Sequence, residues 1–136
     1  MLEGLLDEIV KRRANRAFDS AKKIPQPVRD RIVRAGALAP SCFNNQPWRF
    51  VIVDKEETLQ KVTEHLPGAN YWVKTSPCIV LVLTEPTFDC QLSDAREYAL
   101  FDVGLAVQNI VLQAVHEGLY AHPIAGFKPK AIKKEF

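Results

Sequence analysis

The stretch from Tyr98 to Glu117 constrains the fold of this chain most strongly, because it runs for many residues without a proline and with Gly104 as its only glycine. Apolar side chains surround most of the helix it predicts. The polar ones fall on one narrow stripe: Asp102, Asn109, Gln113 and His116. A helix this apolar must be buried on more than one side. We therefore expect a central helix, part of whose cover comes from a second subunit because the chain is short.

Hydrophobic spacing predicts the elements on either side of this helix. Before it we expect a helix with the apolar stripe Leu2, Leu5, Leu6, Ile9 and Val10, a helix from Pro27 to Leu38, a strand at Arg49–Val53, a helix over 54–66 and an interior strand over 78–84. Asp54 with Glu57, and Asp94 with Glu97, are interpreted as capping boxes. After it we expect a third strand over 119–124 and a last helix from Pro129. The order predicts one mixed α/β or α+β domain over residues 1–136.

Composition excludes several classes of protein. With 47% hydrophobic and 25% charged residues the chain is an ordinary globular one, and a net charge of +2 argues against a nucleic-acid binder. The longest apolar run has six residues (78–83), whereas a membrane span needs about 20, so we expect no membrane partner. An acidic start argues against a signal peptide. Three widely spaced cysteines suit a reducing cytoplasm without a disulfide framework, and three histidines without an H-E-x-x-H pattern argue against a metal centre.

Three clusters are candidates for binding chemistry. Arg12, Arg13 and Arg16 could clamp a phosphate, or they could be a solvated basic helix end. Residues 41–46 concentrate a hydroxyl and amides between two prolines, and they could read the edge of a ring or form a polar turn. Residues 122–127 combine Pro with Gly, which permits close approach of a ligand but also suits an ordinary turn. The chain lacks glycine-rich nucleotide motifs and a G-x-S-x-G elbow.

Together these segments resemble the FMN-dependent nitroreductase family. The matching segments are R-R-A-N-R-A-F at 12–18, A-P-S-C-F-N-N-Q-P-W-R-F at 39–50, D-V-G with Q-N in the central helix, and G-L-Y-A-H-P-I-A-G-F at 118–127. The second is close to a family signature. Their order covers almost the whole chain.

The resemblance implies an α+β three-layer sandwich, with a central, mostly antiparallel sheet flanked by helices, that forms a homodimer with FMN at the subunit interface. Residues on one subunit would bind the FMN phosphate, ribityl chain and ring, and the loop of the other would reach the flavin. The cofactor-binding set is Arg12, Arg13, Ala14, Arg16, Pro40, Ser41, Cys42, Asn44, Gln46, Asn70, Pro123, Ile124 and Gly126. No side chain is expected to be catalytic, and no metal is expected.

The implied activity is transfer of a hydride from NAD(P)H through FMN to a small-molecule acceptor such as a nitroaromatic or quinone, by a ping-pong mechanism. Three features depart from the family. Ala14 stands where Ser is common, Ala125 stands where some members carry Glu, and the family usually continues beyond Phe136 with a further strand and a basic phosphate ligand. The alternative is therefore a truncated or degenerate member that dimerises, binds FMN weakly and is not catalytic.

Overall fold

The structure is a computed structural model that describes residues 3–136, so the predicted contribution of Leu2 to the first helix lies outside the described residues. Five α-helices and two strands are described. They are α1 (Asp7–Lys11), α2 (Gln26–Ala37), β1 (Arg49–Val53), α3 (Glu56–Glu64), β2 (Ile79–Leu83), α4 (Ala99–His116) and α5 (Pro129–Glu135). Short 3-10 turns lie at Cys42–Asn44, Gly68–Thr75 and Pro86–Phe88.

The two strands form an antiparallel pair in which Val51 lies opposite Leu81 and Val53 opposite Ile79. Alternate side chains of a strand point to opposite faces, so each face packs against different helices. Val53 packs with Val62 of α3 and Ile132 of α5. Phe50, on the other face, packs against α2 and α4. Helices on both faces of an antiparallel sheet confirm the predicted α+β layered architecture.

Helix α4 is the central element, as its sequence predicts. Its contact with α2 is the most extensive between any two described elements, and Ile110 and Ala114 pack there against Ile32. In length and composition α4 also meets the criteria for a membrane span. Core helices of soluble proteins meet the same criteria, and the packing of α4 against α2 and the sheet is that of a core helix.

The apolar stripe at the start of the chain forms a shorter helix than predicted. Gly4 has a left-handed backbone (φ 82°), and α1 begins only at Asp7. Leu5, Leu6 and Ile9 are about half exposed or more. The described part of the chain therefore does not cover this stripe.

The predicted third strand over 119–124 is wrong for the described residues, where only β1 and β2 form a sheet. A strand requires a neighbouring backbone, and Pro123 has no N–H to offer one. Leu119 N–H bonds back to Ala114 O of α4, and Lys128 N–H bonds to His65 O. The segment between them is irregular backbone.

Both predicted capping boxes are also wrong. The N-cap of α3 is Lys55, and Asp54 instead forms an ion pair with Arg29 of α2. Helix α4 begins at Ala99 rather than near Asp94, and the carboxylate of Asp89 accepts the Tyr98 N–H at 2.8 Å. Hydrogen bonds from Tyr98 above all, and then from Ala99 and Cys90, lower the pKa of Asp89.

Candidate functional site

The arginine segment, residues 12–16, follows α1 without regular structure. The Arg13 guanidinium donates to the carbonyls of Val10 and Arg12, at 2.7 and 2.8 Å, so it partly satisfies the C-terminus of α1. Within residues 3–136, none of Arg12, Arg13 and Arg16 forms an ion pair with a carboxylate. Their positive charge is thus available to an anion, and Arg13 also fits the alternative of a basic helix end.

The segment 119–127 lies against the arginine segment through His122. Its Nδ1 is 2.9 Å from the Asn15 carbonyl oxygen, which requires an Nδ1–H tautomer. The imidazole stacks on buried Trp72 with ring centroids 4.5 Å apart, and Phe18 packs on the same indole at 5.9 Å. His122 and Trp72 therefore fix the arginine segment against residues 119–127. Trp72 and Asn15 were missed as site-forming residues, since stacking between distant segments leaves no periodic signal.

Asn70 and Gly126, both predicted site residues, are in direct contact. The Asn70 side-chain amide donates to the Gly126 carbonyl at 2.7 Å. A Cβ on Gly126 would lie 2.9 Å from the same amide nitrogen, so a larger residue here would displace the Asn70 amide. Pro123 and Gly126 are exposed and Ile124 is half-buried, which leaves this side of the segment open to a ligand.

The polar loop, residues 40–46, has an unusual backbone. Phe43, Asn44 and Gln46 all have left-handed φ values, of 50°, 57° and 48°. The Ser41 hydroxyl accepts the Gln46 N–H at 2.9 Å and closes the loop on itself. The Gln46 amide also lies within 3.3 Å of Asn44 acceptors, as in the polar-turn alternative. Phe43, Asn44 and Asn45 are exposed, so the tip of the loop is available to a partner.

A disulfide joins Cys42 to Cys90, with 5.9 Å between their Cα atoms. The expectation that the chain has no disulfide is therefore wrong. The two cysteines lie 48 residues apart, and only the fold brings the polar loop to the segment that precedes α4. Cys78 is free, and burial raises the pKa of its thiol, which makes it a poor nucleophile.

The predicted site residues thus fall into two groups. The ring side, as we call the first, comprises the arginine segment, Asn70 and residues 122–126, which direct hydrogen bonds join. The second group is the polar loop, whose hydrogen bonds outside itself go to Asp89, Asp102 and Arg49. Within residues 3–136 no hydrogen bond joins the loop to the ring side. A single chain therefore presents two partial sites.

The ring side fits a cofactor that carries both a phosphate and a flat ring. The guanidinium groups, which form no ion pair within residues 3–136, supply the charge for a phosphate. Of these arginines, Arg13 lines an open cleft of about 370 Å³, together with Lys11, Val115, Gly118, Leu119 and Tyr120. Pro123 and Gly126 are exposed, so a ring could approach this segment from the solvent side. In the described part of the chain no group of three or more His, Cys, Asp or Glu side chains could hold a metal.

Comparison with known proteins identifies the family. The sequence profile of the nitroreductase family matches residues 9–70 and 60–136. A relative from Methanothermobacter thermautotrophicus, named as a predicted NADH dehydrogenase/NAD(P)H nitroreductase, is 32% identical over 86% of this chain. The chain therefore belongs to the nitroreductase family. It spans 58% of that relative's length, and 38% and 47% of two staphylococcal relatives.

Solved structures agree with this assignment. A nitroreductase family protein from Clostridium novyi NT superposes with a TM-score of 0.84 and 26% identity, covering 94% of this chain and 73% of that one. A predicted nitroreductase from Exiguobacterium sibiricum 255-15, solved in complex with FMN, superposes with a TM-score of 0.82 over 94% of this chain and 77% of that one. At 23% identity the second likeness shows the fold alone.

Proposed function

We propose that this chain is an FMN-dependent oxidoreductase domain that uses NAD(P)H to reduce a small-molecule acceptor such as a nitroaromatic or quinone. The observation that carries the proposal is the ring side, where the arginine segment and the contact of Asn70 with Gly126 lie in a chain of the nitroreductase family. When bound, FMN supplies the hydride chemistry that no side chain here provides. The reductant and the acceptor occupy its ring face in turn.

The proposed roles carry the family resemblance over to the residues of the ring side. Arg12, Arg13, Arg16 and the Ala14 backbone bind the phosphate and ribityl chain, and Ala14 offers no hydroxyl for this task. Pro123, Ile124 and Gly126 lie beside the ring, and Asn70 orients the Gly126 carbonyl. Ala125, where some family members carry Glu, leaves that edge of the ring without a carboxylate.

A homodimer completes the site in this proposal. Pro40, Ser41, Cys42, Asn44 and Gln46 of one subunit reach the flavin bound by the other. Two observations support this arrangement: the polar loop is bonded away from the ring side of its own chain, and α4 exposes Leu100 and Phe101 by 69% and 58%. An apolar face of this kind is typical of a subunit interface. We propose that residues 1–136 form a single domain.

The deciding experiment is a titration of the apo-protein with FMN, monitored by flavin fluorescence. An assay of nitroaromatic reduction by NAD(P)H then tests the activity of the loaded protein. Arg16→Ala should weaken FMN binding about tenfold or more, because a charge-assisted hydrogen bond is worth about 1.5–3 kcal/mol. The matched control is Arg34→Ala, an exposed arginine in the last turn of α2. A protein that dimerises but takes up no FMN would establish the non-catalytic alternative instead.

A further inference from the structure

Asp102 is the one charged side chain that is fully buried among residues 3–136, with 2% of its surface exposed. It lies in the first turns of α4, whose helix dipole favours a negative charge there. Burying a carboxylate is costly unless hydrogen bonds compensate for the lost water. Its position within the core therefore calls for a specific bonding partner.

That partner is the polar loop. Asp102 Oδ2 accepts the backbone N–H of Cys42 at 3.0 Å. The bond joins residues 60 positions apart, and it fixes the backbone immediately before the left-handed residues Phe43 and Asn44. Non-glycine residues persist in left-handed conformations only where their surroundings hold them. Asp102 thus acts at the point where the loop leaves the core.

The other end of the loop is also anchored in the core. Pro47 and Trp48 are buried, and Trp48 packs with Ala106 of α4 and with Ala39, which follows α2. Between the two ends, the exposed tip carries the groups that the proposed function directs at the flavin of the other subunit. A small displacement of Cys42 would therefore be passed on to Asn44.

We propose that Asp102 is a positioning residue for the flavin site: its carboxylate holds the Cys42 backbone, and thereby sets the geometry in which the polar loop meets the cofactor. This inference rests on the proposed function. Asp102 touches neither cofactor nor substrate, so its effect on binding passes through the loop.

The first test compares the FMN affinity of three variants. Asp102→Ala removes the acceptor and should weaken FMN binding about tenfold, the equivalent of one hydrogen bond to a charged group. Asp102→Asn retains an acceptor of the same shape and should recover most of that loss. Ile110→Val is the matched control, because it perturbs the core face of the same helix without touching the loop.

The second test needs no flavin. In apo-protein equilibrated with a glutathione buffer, two glutathione molecules join in one glutathione disulfide, and the two protons and two electrons that they give up reduce the Cys42–Cys90 bond to two thiols. The equilibrium constant for closing the bridge reports how well the fold holds Cys42 next to Cys90. Asp102→Ala should lower this constant about tenfold, whereas Asp102→Asn and Ile110→Val should leave it within about twofold of wild type.

The outcomes separate the two ideas. If Asp102→Ala matches Ile110→Val in both measurements, the positioning role is overturned. If Asp102→Ala lowers the equilibrium constant for closing the bridge as expected but wild-type protein takes up no FMN, Asp102 positions the loop and the proposed flavin function fails. Should Asp102→Ala not fold, Asp102→Glu takes its place, because it retains the charge but displaces it by a methylene. We expect it to lower both the FMN affinity and the equilibrium constant for closing the bridge. Wild-type values in both measurements would overturn the positioning role.

Discussion

At the scale of single residues, Gly126 lies so close to Asn70 and Pro67 that little space remains for a side chain. Gly126→Ala would place a Cβ 2.9 Å from Asn70 Nδ2 and 3.4 Å from Pro67 Cγ. We expect the Asn70 amide to be pushed off the Gly126 carbonyl and FMN affinity to fall severalfold, on the order of one neutral hydrogen bond. Gly68→Ala, where a Cβ meets nothing within 4 Å, is the control, and fluorescence titration is the measurement. Equal affinities for the two variants would contradict the expectation.

At this scale the sequence can single out candidate residues only where the chemistry is local, and their role at a flavin stays a prediction. The arginine segment and the polar loop could be singled out because their residue types are dense and closely spaced. The contact of Asp89 with Tyr98 at the start of α4 could not, because it spans nine residues while Asp94 and Glu97 mimic a capping box. Asp102 was placed on the narrow polar stripe of α4, but its loop partner depends on a contact that only the fold creates.

At the scale of elements, α2 and α4 approach so closely at Gly36 that a side chain does not fit. A Cβ there would lie 2.7 and 2.8 Å from Ile110 Cγ1 and Cδ1. We expect Gly36→Ala to lower the free energy of unfolding by about 1–3 kcal/mol, the usual cost of overpacking. Urea denaturation measures it.

A double-mutant cycle tests the cause of that loss. Ile110→Ala removes both clashing carbons, so Gly36→Ala should cost much less in the Ile110→Ala background than in wild type. Additive losses would show that the strain lies elsewhere.

An ion pair that titrates joins the middle of α2 to the C-terminal end of α4. Arg31 donates twice to Glu117, at 2.8 Å each, and its guanidinium lowers the pKa of Glu117 to about 2. Because this pKa is lower in the folded than in the unfolded chain, the pair stabilises fully above about pH 4.5 and is lost as the pH falls towards 2. Glu117→Gln should therefore flatten the fall in stability over this window, as measured by denaturation at a series of pH values. Glu135→Gln, exposed on α5, should leave the slope unchanged.

Elements were predictable where a local pattern decides them. β1 has the predicted bounds because an apolar run between polar neighbours needs no further information, and α4 follows from its length and composition. The segment 119–124 has the same apolar character but forms no strand, since pairing depends on a neighbour that its own sequence does not specify.

At the scale of the whole molecule, the exposed apolar residues of α4 lead to a prediction about assembly. Leu100→Glu should shift the dimer we propose towards monomer, because a buried charge opposes association. Analytical ultracentrifugation over a range of concentrations measures the shift, and Gln26→Glu adds the same charge at the start of α2 as a control. A monomeric wild-type protein would contradict the proposal outright.

The disulfide makes stability dependent on reductant. Cys90→Ser should lower the free energy of unfolding by about 2–4 kcal/mol, the usual contribution of a bridge that closes a long loop. Wild type in dithiothreitol should show the same lowered free energy of unfolding as this variant. Cys78→Ser is the control and should lose stability in dithiothreitol as wild type does. Urea curves with and without dithiothreitol measure both, and a wild type that ignores the reductant would show that the bridge contributes nothing.

The bridge from Cys42 to Cys90 also closes a covalent ring that contains β1, α3 and β2. A protease that cuts once inside this ring cannot release a fragment, because both new ends remain attached through the sulfur bond. On a denaturing gel the nicked chain would run as one species until a thiol is added, and as two afterwards. The sheet and its covering helix α3 thus withstand a single break in a way that the arginine segment, which lies outside the ring, does not.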